Sequence, residues 1–408
     1  MRMLKRFILA LLALAVLIPA AACSIELTQT STVATQRPPT ATEPATATLV
    51  PTETRIPTET PTLDPASLTT PTEELTPTAT IPPFDFPLLD ASILNAEILP
   101  GWESLGLTGK VTFLSLFPEG QAFVTFDFAT GQLAPLFVAP PNTWVLSGSV
   151  SPDRSNILLA YAPPPPEGKT QYGYSDLWRL PAGGGEPEPL LLRNEEIEAY
   201  FGSTYSPDGQ FAYYTWFVQD ASVDFGFRYH INRLEVVTGT VTTVIEDGFW
   251  QSLSSDGSKI AYVTLDPNGG IDELRMANAD GSDVQTMLDP AIHPTTDAPF
   301  FSPDMEFLYF SAVSEAPPAL SWLDNLMGVQ IASAHNVPSD WWRMNIATGE
   351  AAQITETFDQ GMFGVFSPDG TKIAFISARG LWVMNPDGTD LVQILASSDF
   401  YGNLEWIP

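Results

Sequence analysis

Three histidines, one cysteine and 48 acidic residues are the groups in this 408-residue chain that could do chemistry. A lone Cys, Cys23, excludes an intramolecular disulfide framework and any zinc site built on several thiolates. Metal chemistry would therefore rest on carboxylates and on His230, His293 and His335. The segments Asp280-Gly281-Ser282-Asp283 and Asp387-Gly388-Thr389-Asp390 are oxygen-rich as calcium loops are, yet both fit hairpin turns and lack the remaining ligands. No Gly-x-Ser-x-Gly elbow, P-loop, Rossmann fingerprint or His-Glu-x-x-His helix occurs. With 48 Asp and Glu against 17 Lys and Arg the formal charge is −31, which repels nucleic acid. These groups predict no catalytic residue, no resident metal and no cofactor.

The elements that must position them repeat. Ser206-Pro207-Asp208-Gly209 and Ser367-Pro368-Asp369-Gly370 are intact copies of one tetrapeptide, and Ser151-Pro152-Asp153, Ser254-Ser255-Asp256-Gly257 and Ser302-Pro303-Asp304 are variants. Its composition is that of a type I turn, with Ser first, Pro fixing φ second, Asp third and Gly fourth. Each copy precedes a short apolar run rich in β-branched and aromatic residues: Asn156 to Ala162, Gln210 to Phe217, Ser258 to Thr264, Glu306 to Ala312 and Thr371 to Ser377. A further strand, a tight turn with Gly and a last strand follow, as in Leu381 to Asn385 and Leu391 to Leu395. The unit is therefore four strands, and its copies stand 48 to 65 residues apart. Repeats of that size are propeller blades. The string Ser-Pro-Asp-Gly-x-x-Ile-Ala-Phe, Ser367 to Phe375, resembles the WD40-like (PD40) repeat of TolB-type propellers, and the resemblance covers most of residues 104 to 408. TolB has an α/β domain ahead of its propeller where this chain has a stalk, so TolB's partners are not carried over.

The two ends of the repeat region set the blade count. Leu404-Glu405-Trp406-Ile407-Pro408 aligns with Gly364-Val365-Phe366-Ser367-Pro368, an inner strand with no outer strands after it. Lys110 to Leu116, Gln121 to Phe128 and Gln132 to Phe137 are three strands with no marked inner one before them. Joined, they complete a sixth blade. The predicted fold is all-β: residues 84–408 form a six-bladed β-propeller of four-stranded blades, closed by the C-terminal strand pairing into the first blade.

Tight turns join strands one to two and three to four, whereas the two-to-three connections vary: Pro163 to Tyr174, Val218 to Arg228, Asp266 to Gly270 and, longest, Val313 to Ser339. Strand alternation puts the variable connections on one face, the place where a repeat array builds its binding surface. The candidate partner-binding residues are Tyr172, Tyr174, Phe225, Phe227 and Trp322, aromatic anchors of the kind that interfaces and carbohydrate sites use. Trp341 and Trp342, where a third strand begins, are expected in the blade core. Leu320, Leu323, Leu326 and Met327 stand at helical spacing, either as a small lid over the channel or as a cover for their own blade. Asp220, Asp224, Asp324 and Asp340 accompany the aromatics and favour a cationic or sugar-like ligand.

TolB-like folds are also similar to that of oligogalacturonate lyases, which hold a metal by histidines in the channel, and the register puts His230, His293 and His335 on the loop-rich face. Peptidases with a TolB-like propeller carry a hydrolase domain beside it, for which 408 residues leave no room. The expected function is a non-catalytic binding or scaffold module for a protein or glycan partner. The alternative is a metal-dependent polysaccharide lyase or hydrolase at the channel.

Arg2, Lys5 and Arg6 precede an apolar run from Phe7 to Ile18 and the small residues Ala20, Ala21 and Ala22, the layout of a signal peptide over residues 1–22. The run is short for a membrane span. With Cys23 first after cleavage, the segment resembles the lipobox of bacterial lipoproteins, in which that cysteine is acylated, although Ala20 stands where the family usually has Leu. Ala20 and Ala22 also fit an ordinary cleavage site, which would release a secreted chain with a free thiol. Between Ser24 and Pro83 lie 19 Thr and 11 Pro, too little apolar surface to offset ordering entropy, so residues 23–83 are expected to be a disordered stalk behind the lipidated Cys23. The expected location is extracytoplasmic, lipid-anchored to the cell membrane, or alternatively secreted. A palmitate analogue fed to the native host should label the protein, and Cys23→Ala should abolish the label.

Overall fold

Strands with apolar side chains on both faces need a neighbour on each side, and a closed ring of sheets supplies one. A computed structural model describes residues 82, 84, 86–164, 174–195, 197–268, 273–290, 292–293, 295–313 and 337–408. The expected signal peptide, Cys23 and the stalk as far as residue 81 lie outside the described residues, as do Tyr172, Trp322, Asp324, His335 and the 318–334 segment.

Six antiparallel sheets make the ring. From inner to outer strand, blade 2 is Trp144–Val150, Asn156–Ala162, Asp176–Pro181 and Glu188–Leu191, and blade 3 is Ala199–Tyr205, Phe211–Gln219, Phe227–Glu235 and Val241–Glu246. Blade 4 is Gly248–Leu253, Lys259–Thr264, Leu274–Asn278 and Gln285–Thr286, and blade 5 is Thr296–Phe301, Phe307–Val313, Ser339–Asn345 and Ala351–Gln353. Blade 6 begins with Phe363–Phe366, Ile373–Ser377, Gly380–Met384 and Val392–Ala396. Blade 1 combines Lys110–Phe117, Gly120–Asp127 and Gln132–Val138 with an inner strand from the other end of the chain, Phe400–Ile407. Lys110 stands opposite Ile407 and Thr112 opposite Glu405, the closure expected from the repeat. Each inner strand packs on the next around the whole circuit.

The core lies between blades. Ile157 and Leu159 of blade 2 pack with Leu114 and Phe123 of blade 1. Leu158 and Ala160, on the other face of the same strand, pack with Tyr205 and Tyr214 of blade 3. Trp341 is fully buried against Phe300 and Phe375, between blades 5 and 6.

In all five tetrapeptide turns the Ser hydroxyl donates to the Asp Oδ1 at 2.6 Å. The Ser carbonyl accepts from the N–H of the fourth residue at 2.8 to 3.0 Å. The aspartates therefore serve the turns. The fourth residue is left-handed, with φ from 58° to 72°, which suits Gly209, Gly257 and Gly370 and strains Arg154 and Met305. The calcium-like segments are turns as well, with Asp280 accepting from Ser282 and Asp387 from Thr389. Gly388 presses so closely on the preceding blade that a Cβ would stand 1.8 Å from the Ile354 oxygen.

Blade 6 departs from the four-strand plan. Glu97–Ile98 adds a fifth strand to its outer edge, with Glu97 opposite Ala396 and Ile98 opposite Leu395. The same lead-in segment donates the Leu89 N–H to the Pro135 carbonyl on the outer strand of blade 1 and seats Trp102 against Phe126 and Phe128. The seam is held from inside by the closing strand and from outside by the lead-in.

A chain ending before Gly402 loses the buried Leu404, Trp406 and Ile407 from blade 1. Burial of each large apolar side chain stabilises by about 1.5–3 kcal/mol, so its thermal unfolding should shift steeply downward. Gly388→Ala should also lower the melting temperature, while Gly183→Ala, with open space around the added methyl, should leave it unchanged.

Candidate functional site

Connection length decides which part of the variable face is raised. Two residues, Pro118-Glu119 and Ala378-Arg379, join strands two and three in blades 1 and 6. Blades 2 to 5 use residues 163–175, 220–226, 265–273 and 314–338. The blade 3 connection is tied on both sides. Its Phe225 N–H donates to the Pro267 carbonyl of blade 4 at 3.0 Å. The Arg228 guanidinium reaches Asp220 through Nε at 2.7 Å and Asp247 through Nη1 at 2.8 and 3.0 Å. Hydrogen bonds from Ser222, then the Arg228 guanidinium, pull the Asp220 carboxyl down to about 2. Asp220 is thus already paired, whereas Asp224 is exposed.

Phe225, Phe227 and Tyr229 recur at period two and share one side of the chain. Phe225 stacks on Phe227 with centroids 6.0 Å apart and planes 23° from parallel. Phe227 meets Phe217 at 5.5 Å and Tyr229 at 5.4 Å, and Tyr229 meets Phe249 at 5.5 Å and Phe201 at 5.6 Å. Phe249 adjoins Trp250, and Trp250 reaches Phe363 on the inner strand of blade 6 at 5.0 Å. Blades 4 and 6 are not neighbours, so Trp250 lies across the central channel. Its φ is 52°, a left-handed conformation that a bulky residue holds only where packing enforces it. The inner strand shifts register there, and comparable shifts accompany the positive φ of Gly202, Ala298 and Gly402 in other blades.

Of the five aromatic candidates, the structure brings Phe225 and Phe227 together, both half-buried. Tyr174 lies near the end of the blade 2 connection, where its carbonyl accepts from Arg193 Nη1 at 2.6 Å. Tyr172 and Trp322 lie outside the described residues. Asp340 does not face a ligand, contrary to expectation. It is fully buried, and its Oδ1 accepts from the hydroxyls of Thr355 and Thr357 at 3.1 Å and from the N–H groups of Thr357 and Phe358. It knots the link between blades 5 and 6.

His230 and His293 are separately engaged. His230 faces Trp216 at 5.4 Å and its Nδ1 accepts from the Asp247 N–H at 3.4 Å, while His293 meets Trp342 edge-on at 4.9 Å. Burial pushes both imidazoles below their ordinary value, so each is neutral at neutral pH. Among the described residues no three His, Cys, Asp or Glu stand together as a metal site. Residues that the sequence did not single out are Phe201, Phe217, Tyr229, Phe249, Trp250 and Phe363, which carry the aromatic path from blade 3 into the channel.

The chain is a six-bladed β-propeller with one face of bare turns, one of varied connections, and an aromatic side chain across its channel. No family model matches the sequence, and no curated protein does. Among solved structures it is similar to TolB from Acinetobacter baumannii, at 15% identity over 74% of this chain and 67% of that one, with a TM-score of 0.52. It is also similar to a protein assigned as TolB from Agrobacterium tumefaciens, at 18% identity over 74% of this chain and all of that one, with a TM-score of 0.50. These neighbours are TolB-like β-propellers, and identities this low show the fold alone. An oligogalacturonate lyase in complex with manganese scores 0.46 at 14% identity over 70% of this chain and 73% of that one, too slight a likeness to speak to chemistry.

Asp340→Ala removes the acceptor shared by the buried Thr355 hydroxyl and the part-buried donors of Thr357 and Phe358 and should cost about 3 kcal/mol. Asp224→Ala, at an exposed residue, should change stability by less than about 0.5 kcal/mol. Urea denaturation of the two variants checks the contrast.

Proposed function

We propose that the protein is an extracytoplasmic, lipid-anchored binding or scaffold module without chemistry of its own, and that a protein or glycan partner docks on its variable face. The observation that carries this reading is the half-buried stack of Phe225 on Phe227, set beside exposed Asp224 on a connection fastened through Arg228 and Pro267. Rings on a loop that is already ordered lose little entropy on binding, and flat apolar surface beside a carboxylate suits a sugar or a cationic group. Tyr174, Tyr172 and Trp322, from the connections of blades 2 and 5, would widen the surface. The anchor rests on the layout of the first 23 residues, with Cys23 as the acylated group.

A metal-dependent lyase or hydrolase at the channel is the competing assignment. It would need a metal in a channel that Trp250 crosses, held by histidines that already face Trp216 and Trp342. Crosslinking on native membranes distinguishes the two. The double variant Phe225→Ala/Phe227→Ala should lose the crosslinked partner while keeping the parent melting temperature within a few degrees. Stoichiometric manganese or calcium in the purified protein, lost on His293→Ala, would move the assignment to the enzyme.

A further inference from the structure

Two residues before the turn serine, the inner strands of blades 2 to 6 carry Ser149, Thr204, Ser252, Phe300 and Val365. The closing strand carries Glu405 there, an ionisable group where the others have none. Its carboxyl group crosses from blade 1 to blade 2, where one oxygen accepts from the Ser149 hydroxyl and the other from the Val150 N–H at 2.8 Å. The Ser149 Oγ also accepts from the Tyr205 N–H of blade 3 at 3.1 Å, so one carboxyl group links the inner strands of three blades. On its own sheet Glu405 stands opposite Thr112, and Thr112 opposite Thr125. Both threonine hydroxyls are buried with no hydrogen-bond partner.

Little offsets a negative charge at this place. The strands packed on the closing strand carry one ionisable side chain, Lys110, which is bound to Asp127. Tyr401 on the closing strand and Tyr205 in blade 3 are kept neutral by burial. Arg154, on the blade 2 turn, is spent on the Pro82 and Pro408 carbonyls.

We propose that Glu405 is a proton-operated latch: protonated, it lets the closing strand seat firmly in the ring, and ionised, it loosens that strand so that the seam opens more readily as pH rises. Glu405 is half-buried, but both of its carboxyl oxygens are taken up by blade 2, against Ser149 and Val150. Burial outweighs the two hydrogen bonds and pushes the carboxyl up to about 7 from an ordinary 4.5. The seated strand therefore holds its proton more tightly than the released strand. Closure is strongest below the ordinary value, weakens about tenfold per pH unit between the two values, and levels off above the higher one.

Hydrogen exchange of the 400–408 segment, corrected for the intrinsic pH dependence of exchange, reads the opening directly. The opening constant should rise roughly fiftyfold from about pH 5 to about pH 7.5, while that of Gly248–Leu253 in blade 4 stays level. Glu405→Gln should hold the closing strand at its acid level at both pH values. A closing strand whose exchange ignores pH, or equal changes in both strands, overturns the latch. Where Glu405→Gln does not fold, the two strands of the native protein still decide, and a Glu405 carboxyl that titrates near 4.5 by carbon NMR overturns the proposal.

Discussion

The pairing of Phe400–Ile407 with Lys110–Phe117 is the contact on which the ring depends. Five blades are continuous in the chain, and each buries both faces of its sheet against neighbours. Without the closing strand, blade 1 would have no inner strand and the faces of blades 2 and 6 that abut it would be only partly covered. The pairing thus completes one sheet directly and two interblade clusters indirectly. The lead-in segment adds an outer fastening through Glu97–Ile98 and Leu89, so closure does not rest on one strand alone.

Much of this architecture was legible because the tetrapeptide marks the same turn five times and because Trp406-Ile407-Pro408 matches the residues that begin it elsewhere. The fifth strand was not legible. Two residues make too short a run for any alternation, and the pairing of Glu97–Ile98 depends on where Leu89 and Trp102 already hold the segment. The candidate site divides in the same way. Phe225 and Phe227 declared themselves by type and spacing, and the same period extends to Tyr229. Trp250 could not be found, because its place across the channel follows from a shift in register and a left-handed backbone, both products of tertiary packing. Asp340 departs from expectation for a related reason. Acidic character suggests a solvated face, but burial and the donors gathered around it convert it into a structural acceptor.

The two faces of the disc have different physical natures. On one, hydroxyl–carboxylate turns recur with little change, and each aspartate is committed to its own loop. On the other, blades 2 to 5 carry connections of unequal length, and aromatic rings run from Phe225 toward Trp250. A face made of satisfied turns offers few unmatched groups. One with half-buried rings keeps apolar area in water that a partner could cover.

Arg154 donates to the carbonyls of both Pro82 and Pro408, so the lead-in and the last residue of the chain meet at one guanidinium on the turn face. Tension along any tether attached ahead of Pro82 enters the molecule at that point. It passes next into the grip of the lead-in on blades 1 and 6, whose hydrogen bonds at Leu89, Glu97–Ile98 and Leu99 would share the load along the segment. Such an arrangement strains several bonds at once and spares the closing strand from being peeled away singly. The lead-in that fastens the seam from outside would double as its mechanical mooring.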